Sequence, residues 1–158
     1  MHPPPSFEHV GRQNPSPGIH LYPSQPTCVF LTVTTEHRSP WLANPTAQQH
    51  LETTWGNATG WLVSDYLLMP DHLHCFCFPS DNTKTIERWI SYWKDQFRKL
   101  HKNPNWRFQS RGWHHRLRSD ESSTEKWHYV LHNPVRKNLV TTPDQWPFKG
   151  RIHNIQFP

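Results

Sequence analysis

Hydrophobic residues follow two periods along the chain, and the shorter period marks the candidate strands. Residues 28–35 form a β-branched, apolar run that is typical of a largely buried strand. Residues 61–69 and 73–78 are two more apolar runs, separated by Pro70 and Asp71, which favour a turn. The pattern therefore predicts one core strand followed by a β-hairpin.

The longer, helical period is clearest over residues 86–100. Apolar side chains recur there every three or four positions, while basic side chains occupy the other faces. An earlier helix is indicated by capping chemistry, because Asn44 is a good N-cap and Pro45 suits the first helical position. We expect that helix to cover residues 45–56.

The C-terminal third of the chain gives weaker signals. Residues 106–108 (Trp-Arg-Phe) favour a fourth strand, and residues 146–152 favour an edge strand. A third helix is expected from about Ser123 to Asn133, where Pro134 forces its end or a kink. Together these elements predict an α+β domain with helices on a mainly antiparallel sheet, for which ferredoxin-like is the nearest common fold.

The first 26 residues differ in composition from the rest. Seven of the 16 prolines lie in residues 1–26, which contain no tryptophan and cannot bury enough surface to offset the entropy of ordering. We predict a proline-rich arm over residues 1–26 and one folded domain over 27–158. No apolar run reaches the roughly 20 residues of a membrane helix, so the protein is expected to be soluble and cytoplasmic.

Charge and composition point to an acidic polymer as partner. The chain has 17 Lys and Arg against 12 Asp and Glu, a net charge of +5, together with 13 histidines and nine tryptophans. Its three cysteines, Cys28, Cys75 and Cys77, are too few for a disulfide framework and lack the spacing of a structural zinc module. The same composition is also compatible with aromatic residues that serve only packing.

The first candidate site is His72-Leu73-His74. Side chains alternate along a strand, so both imidazoles point the same way and can converge on one cation, while Leu73 faces the core. Cys75 and Cys77 share the parity of Leu73, which argues against a mixed histidine and cysteine zinc site. The alternative is that the two histidines are structural.

The second candidate site is the pair Tyr129 and Asn133. Residues four apart lie on one helical face, so the phenol oxygen and the amide oxygen can reach the same point. The alternative is a tyrosine packed at a helix edge and an asparagine that simply precedes a proline.

Several motifs together resemble a known family. Residues 66–76, with the run Met-Pro-Asp-His-Leu-His, resemble a strand of the HUH single-tyrosine transposases. Residues 108–116 and 129–140, with the pattern Tyr-x-x-x-Asn-Pro-Val-Arg, are similar to the REP-associated tyrosine transposase branch, as is the Asp-x-Trp-Pro element at 144–148. The resemblance spans about residues 28–151 in the expected order. Lys137 and Asn138 depart from it, since the family often has a small residue and a glycine there.

The resemblance implies roles for four residues. His72 and His74 would be metal ligands, Asn133 would complete the metal site, and Tyr129 would be the nucleophile. Two imidazoles and an amide oxygen leave positions open for phosphate oxygens and water, as Mg²⁺ or Mn²⁺ requires. The implied activity is cleavage and rejoining of single-stranded DNA through a 5′-phosphotyrosine intermediate, beside a hairpin. Relatives include dimers that exchange the tyrosine helix, so the choice between monomer and homodimer stays open.

DNA binding is expected from a loop between the second and third helices, where basic residues are mixed with Trp106 and Trp113, and from two basic residues beside the third helix. Such a mixture suits phosphates and unpaired bases. The candidates are Arg107, Arg111, His114, His115, Arg116, Arg118, Arg136 and Lys137. The alternative for the loop is a solvated charged segment whose tryptophans turn into the core. Two other functions remain open at this point: a DNA-binding protein that no longer cuts, and a metal-dependent nuclease that uses water as nucleophile.

Overall fold

The protein is represented by a computed structural model that describes residues 28–81, 83–110, 113–116 and 123–155, with backbone only for 113–116. The predicted arm lies outside these ranges. No helix within them is long and apolar enough to cross a membrane.

A five-stranded antiparallel sheet forms the centre of the fold, with the strand order β4-β1-β3-β2-β5. Helix α1 connects β1 to β2, and helix α2 connects β3 to β4, which gives the β-α-β-β-α-β order of a ferredoxin-like domain. The predicted fold class is therefore confirmed. The element bounds are β1 Val29–Thr34, α1 Pro45–Asn57, β2 Trp61–Leu68, β3 His72–Pro79, α2 Ile86–His101, β4 Trp113–Arg116, α3 Ser123–Leu131, α4 Asn133–Arg136 and β5 Lys149–Arg151.

Helices α1 and α2 begin at capping residues. The Asn44 side-chain oxygen accepts a hydrogen bond from the Ala47 backbone N–H at 2.9 Å, and Thr85 accepts one from the Arg88 N–H at 3.2 Å. Each contact satisfies a backbone donor that the first turn of a helix leaves without a partner. Both helices match the predicted bounds to within one residue.

Helices α1 and α2 cover one side of the sheet, which we call the tryptophan face. Its largest members are Trp55, Trp61, Trp89 and Trp93, none more than 2% exposed. Their rings meet at centroid distances of 5.5 Å for Trp55 and Trp93 and 6.2 Å for Trp61 and Trp89. Burying such large rings stabilises the fold, because it removes a large apolar surface from water and packs the rings densely.

The opposite side of the sheet, which we call the histidine face, contacts helix α3. Its buried members include Phe30, Phe76, Val130 and Trp146. The Phe76 ring lies 5.1 Å from that of Trp127 on α3, centroid to centroid. The three cysteines are buried, Cys75 and Cys77 in the tryptophan face and Cys28 in the histidine face.

Strand β2 contains a β-bulge between Val63 and Tyr66. Val63 pairs with Cys77 on β3, and Tyr66 pairs with Cys75, so β2 has one more residue than β3 between these pairs. As a result Val63 and Tyr66 both pack in the tryptophan face, while Leu67 packs in the histidine face.

The prediction of a strand at residues 106–108 is wrong. Only Phe108 makes an isolated bridge, with Thr35, and the Trp106 ring stacks on Trp41 at 5.4 Å with an interplanar angle of 7°. The aromatic side chains pack against α2 and do not extend a ladder. The fourth strand is Trp113–Arg116, which pairs with β1.

The predicted third helix ends earlier than expected. Helix α3 stops at Leu131, and the short helix α4 begins at Asn133, with Pro134 in its first turn, where a missing N–H costs nothing. Asn138 then adopts a left-handed conformation, with φ at 60°. Asparagine tolerates this region better than most residues, so it can stand where the family often has glycine. The predicted edge strand is present as the shorter β5.

Candidate functional site

The two histidines lie side by side at the start of β3, on the histidine face. Their ring centroids are 4.8 Å apart with an interplanar angle of 77°. Leu73 packs in the tryptophan face with Cys75 and Cys77. The expected alternation is confirmed, and it brings the two imidazoles together. They are 9% and 6% exposed, so the pair is more enclosed than the predicted partly open site.

Each imidazole is held through its Nδ1 atom. His72 Nδ1 lies 2.7 Å from Asp71 Oδ1, and because a carboxylate only accepts, the histidine donates. His74 Nδ1 lies 2.8 Å from Thr32 Oγ1, on the neighbouring strand β1. Thr32 pairs with His74 in the antiparallel register, so sheet formation places this hydroxyl. Because these contacts occupy Nδ1, Nε2 is the ring nitrogen of each histidine that is left to bind another group.

His74 is neutral in this environment. Burial lowers its pKa well below the usual range, and the nearby His72 and Arg136 lower it further. The Asn133 side-chain amide nitrogen lies 3.2 Å from His74 Nε2. Since an amide N–H donates, Nε2 accepts, and the proton of the neutral ring is therefore on Nδ1 and directed at Thr32.

Asp71 is bound on both carboxylate oxygens. One oxygen accepts from His72, and the other lies 3.0 Å from the Arg38 guanidinium. The hydrogen bond from His72, followed by its charge and that of Arg38, holds the pKa of Asp71 below its usual range. Asp71 is thus an ionised carboxylate that fixes the orientation of the His72 ring.

Arg136 on α4 connects the two candidate sites. Its guanidinium carbon lies 3.8 Å from the centroid of the Tyr129 ring, and its Nη1 donates to the Tyr129 carbonyl at 2.8 Å. Its Nη2 donates to Asn133 Oδ1, also at 2.8 Å. Because Asn133 contacts His74 through its amide nitrogen, Tyr129, Arg136, Asn133 and His74 form one connected set. The expectation that Tyr129 and Asn133 share one helical face is wrong, because α3 ends at Leu131 and Asn133 begins α4. Arg136 connects the two residues instead.

Helix α3 is fixed to the sheet beside His74. Phe30 stacks on the His74 ring at a centroid distance of 5.2 Å. Lys126 on α3 is 2% exposed, and its ammonium lies 5.5 Å from the centroid of the Phe30 ring. The helix that carries Tyr129 is thus packed on the same aromatic ring that supports His74.

Of the predicted DNA-binding residues, three have side chains that the structure describes: Arg107, Arg136 and Lys137. Arg136 and Lys137 are exposed next to the candidate site, whereas Arg107 lines a cleft beside α2. The backbone of His114, His115 and Arg116 forms most of β4, on the edge of the sheet next to β1. Arg111 and Arg118 lie outside the described residues.

Three participants in the site were not predicted from the sequence. Asp71 precedes His72 directly, and a carboxylate next to a candidate metal-binding histidine is a signal that sequence reasoning can use. Thr32 gives no such signal, because its contact with His74 depends on the β1–β3 register. Arg136 was expected to bind DNA, but its contacts with Tyr129 and Asn133 depend on the break between α3 and α4.

The site offers nitrogen ligands and amide and phenol groups rather than a closed metal cage. Among the residues that the structure describes, no group of three or more His, Cys, Asp or Glu side chains could hold a metal ion. The described contacts bring His74 Nε2 to the Asn133 amide, with the His72 ring beside His74. The Arg136 guanidinium joins that amide to the Tyr129 ring.

Comparison with known proteins bears on this geometry. No protein-family model matches the chain. A protein of Haemophilus influenzae named "Putative REP-associated tyrosine transposase" is 29% identical over 102 residues, which cover 56% of this chain and 58% of that protein. The chain thus spans a little over half the length of this curated relative.

A solved structure gives the corresponding result for the fold. The protein described as "Structure of the REP associates tyrosine transposase bound to a REP hairpin" superimposes with a TM-score of 0.61 at 22% identity. The match covers 83% of this chain and 79% of that one, so the two proteins share a fold. The resemblance indicated by the motifs is therefore confirmed, and the chain is similar in both sequence and fold to the REP-associated tyrosine transposases.

Proposed function

We propose that this protein cleaves and rejoins single-stranded DNA at hairpin-flanked sites, with Tyr129 as nucleophile and a divalent metal, Mg²⁺ or Mn²⁺, bound by His72 and His74. The observation that supports the proposal is the connected set of Tyr129, Arg136, Asn133 and His74. His74 lies 59 positions from Asn133 in the sequence, and the contact between them links a candidate metal-binding imidazole, through Arg136, to the candidate nucleophile.

The imidazole pair fits a metal. In metal sites, a ligating histidine almost always donates its other ring N–H to a carboxylate or another acceptor, which orients the metal-binding nitrogen. Asp71 and Thr32 supply such partners to His72 and His74. Asn133 fits less directly, because its amide nitrogen faces His74 and its oxygen accepts from Arg136. To bind a metal through its oxygen, the Asn133 side-chain amide has to rotate by about half a turn, so that Oδ1 rather than Nδ2 faces His74.

The proposed reaction transfers a phosphoryl group to Tyr129. The phenol oxygen bonds to the scissile phosphorus, the bond from phosphorus to the 3′ oxygen breaks, the phenol loses its proton and the 3′ oxygen gains one. The new ester keeps the energy of the broken bond, so a 3′-hydroxyl can reverse the step without ATP. When bound, the metal would supply positive charge at the scissile phosphate.

Arg136 has two functions in this proposal. Its guanidinium fixes the Tyr129 ring and backbone, and its charge lies next to the phenol that attacks a phosphate anion. Its side chain is exposed, so a DNA strand can reach it. The hairpin as substrate is proposed because the superimposed relative is described as bound to a REP hairpin.

The test is a covalent adduct. The protein is incubated with Mn²⁺ or Mg²⁺ and an end-labelled pool of DNA hairpins with randomised single-stranded flanks, and adducts are detected on a denaturing gel. We expect an adduct that depends on metal and that falls at least about a thousandfold in Tyr129→Phe, since removing a covalent nucleophile abolishes its pathway.

Tyr92→Phe is the matched control, because Tyr92 is 40% exposed on α2 and its ring contacts Lys84. This variant should form the adduct at the normal rate. An undiminished adduct in Tyr129→Phe would contradict the role of Tyr129. Cleavage products with free 5′-phosphates and no adduct would identify water as nucleophile, and tight binding without cleavage would identify a DNA-binding protein that does not cut.

A further inference from the structure

A basic cleft lies outside the candidate active site. It has a volume of about 800 Å³, within the range of ligand pockets, and runs between the C-terminal half of α2 and residues 106–110. A second cavity of about 450 Å³ shares Arg98, Trp106 and Arg107 with it. The two cavities together are lined by five cationic side chains and two carboxylates: Lys94, Arg98, Lys99, Lys102, Arg107, Glu36 and Asp95.

Lys94 is the least exposed of these cations. Its ammonium donates to the Gln109 carbonyl at 2.7 Å, and burial lowers the pKa of Lys94 to about 8. Among the described residues no carboxylate lies within ion-pair distance of it. A partly desolvated cation that faces an open cleft without a counter-charge favours an anion there.

The other charges leave this preference in place. Asp95 is shared between Arg98, at 2.6 Å, and Lys99, at 3.1 Å. Glu36 lies 3.3 Å from His37. Arg107 and Lys94 therefore face the cleft without a dedicated carboxylate among the described residues, and the double cavity forms a positive track rather than a single point.

The cleft opens at the end of the sheet where the histidine pair begins. The Glu36 N–H donates to the Arg107 carbonyl at 2.8 Å, and the Thr35 N–H donates to the Asp71 carbonyl at 2.9 Å. Arg38, two residues beyond Glu36, pairs with the Asp71 carboxylate that orients His72. A DNA strand bound at His72 can therefore pass around this end of the sheet and enter the cleft from the side of Arg38.

We propose that this cleft binds phosphate groups of the single-stranded DNA next to the cleaved bond, with Lys94, Arg98 and Arg107 as the contacts. The inference rests on the proposed function and adds a second contact region for the same substrate. A continuous DNA strand is favoured over a free anion because the cations extend along two neighbouring cavities that share Arg98, Trp106 and Arg107. Each phosphate contact should add to binding by releasing counterions.

The test compares two DNA probes without metal, so that no cleavage occurs. One is a blunt hairpin, and the other is the same hairpin with a thymidine tail. Affinity is measured by fluorescence anisotropy over a range of salt concentrations. For the tailed probe we expect Lys94→Met and Arg98→Gln each to weaken binding about three- to tenfold and to reduce the salt slope by about one. The blunt hairpin should bind each variant as it binds the wild type.

Arg88→Gln is the matched control, because Arg88 is also exposed on α2 but does not line the cleft. It removes the same charge and should change the affinity for either probe less than twofold. Equal losses on both probes, or losses as large in Arg88→Gln, would overturn the proposal. So would saturable binding of inorganic phosphate that is lost in Lys94→Met without any tail dependence, since that identifies a free-anion site.

Failure here is distinguishable from failure of the proposed function. A tail-specific loss in Lys94→Met without any Tyr129 adduct would leave the cleft as a DNA contact in a protein that does not cut. A Tyr129-dependent adduct with no tail-specific loss would leave the active site in place and remove the cleft from substrate binding.

Discussion

The two faces of the sheet differ although the same strand supplies both. Strand β3 contributes Leu73, Cys75 and Cys77 to the tryptophan face, and His72 and His74 to the other. The tryptophan face is closed by two long helices over apolar residues. On the histidine face, a helix of nine residues and one of four lie next to ring nitrogens, an amide and a guanidinium.

The difference shows how the fold separates stability from chemistry. The tryptophan face buries large rings that need no polar partner for most of their area, and so it can hold the strands in place. That rigid support lets the histidine face keep polar groups in a fixed arrangement without contributing most of the stability. Substitutions on the tryptophan face should therefore change mainly the free energy of unfolding, and substitutions on the histidine face should change mainly binding.

The largest effect is expected from truncating a ring on the tryptophan face. Trp93 is fully buried between Trp55 and Trp89. Trp93→Ala should lower the free energy of unfolding by about 3–5 kcal/mol, through lost burial and the cavity left behind. Urea unfolding measures it. The neighbouring Tyr92→Ala, on the exposed side of α2, should cost less than about 1 kcal/mol; similar losses in both would mean that the two sides of this helix do not differ.

A change on the histidine face should alter metal binding instead. Asp71→Asn removes the charged acceptor that orients His72, and should weaken Mn²⁺ binding about 10- to 100-fold while leaving the unfolding midpoint nearly unchanged. Isothermal titration with Mn²⁺ measures this. Asp65→Asn is the control, since Asp65 also pairs with an arginine, Arg151, but lies away from the histidines. Equal losses in the two variants would refute a specific role for Asp71.

The smallest effect is expected at Lys94, a partly buried charged residue on α2, the helix that otherwise contributes apolar side chains to the tryptophan face. The pKa of Lys94 is about 8 in the folded protein, against 10.5 for an ordinary lysine such as that of the unfolded chain. Between these two pH values the unfolded chain therefore binds more protons than the folded protein. The free energy of unfolding should therefore rise with pH over this window, by about 1–2 kcal/mol relative to Lys94→Met. At neutral pH that variant should be the more stable of the two. Unfolding curves at a series of pH values test this, and parallel profiles for both proteins would contradict it.

Most of the fold could be predicted from local patterns. Strands β1 to β3 and helices α1 and α2 follow hydrophobic period and capping residues, which are read within one segment of chain. The prediction for residues 106–108 is wrong because aromatic residues there suit a strand as well as they suit a packed loop. Whether Trp106 stacks on Trp41 or extends a ladder is decided by residues that are distant in the sequence.

The candidate site also contains some contacts that local sequence predicts and others that depend on the whole fold. Alternation along β3 was enough to place His72 and His74 together, since that geometry is local. The approach of Asn133 to His74 was expected only through the family resemblance. The pairing of Thr32 with His74 and the position of Arg136 over the Tyr129 ring depend on strand register and on the helix break. The motif over residues 129–136 contains both Tyr129 and Arg136, but the contact between them follows only from the three-dimensional structure.

The bulge in β2 determines which residues of this strand can ever approach the site. Along an ordinary strand the odd and even positions keep their sides from one end to the other, but here they exchange sides between Val63 and Tyr66. The β5 end of the strand is thereby offset by one position against its beginning. Leu67, and not Tyr66, is turned toward the layer that holds His74, so the phenol of Tyr66 is kept beside Gln48 and away from any DNA that reaches the histidines.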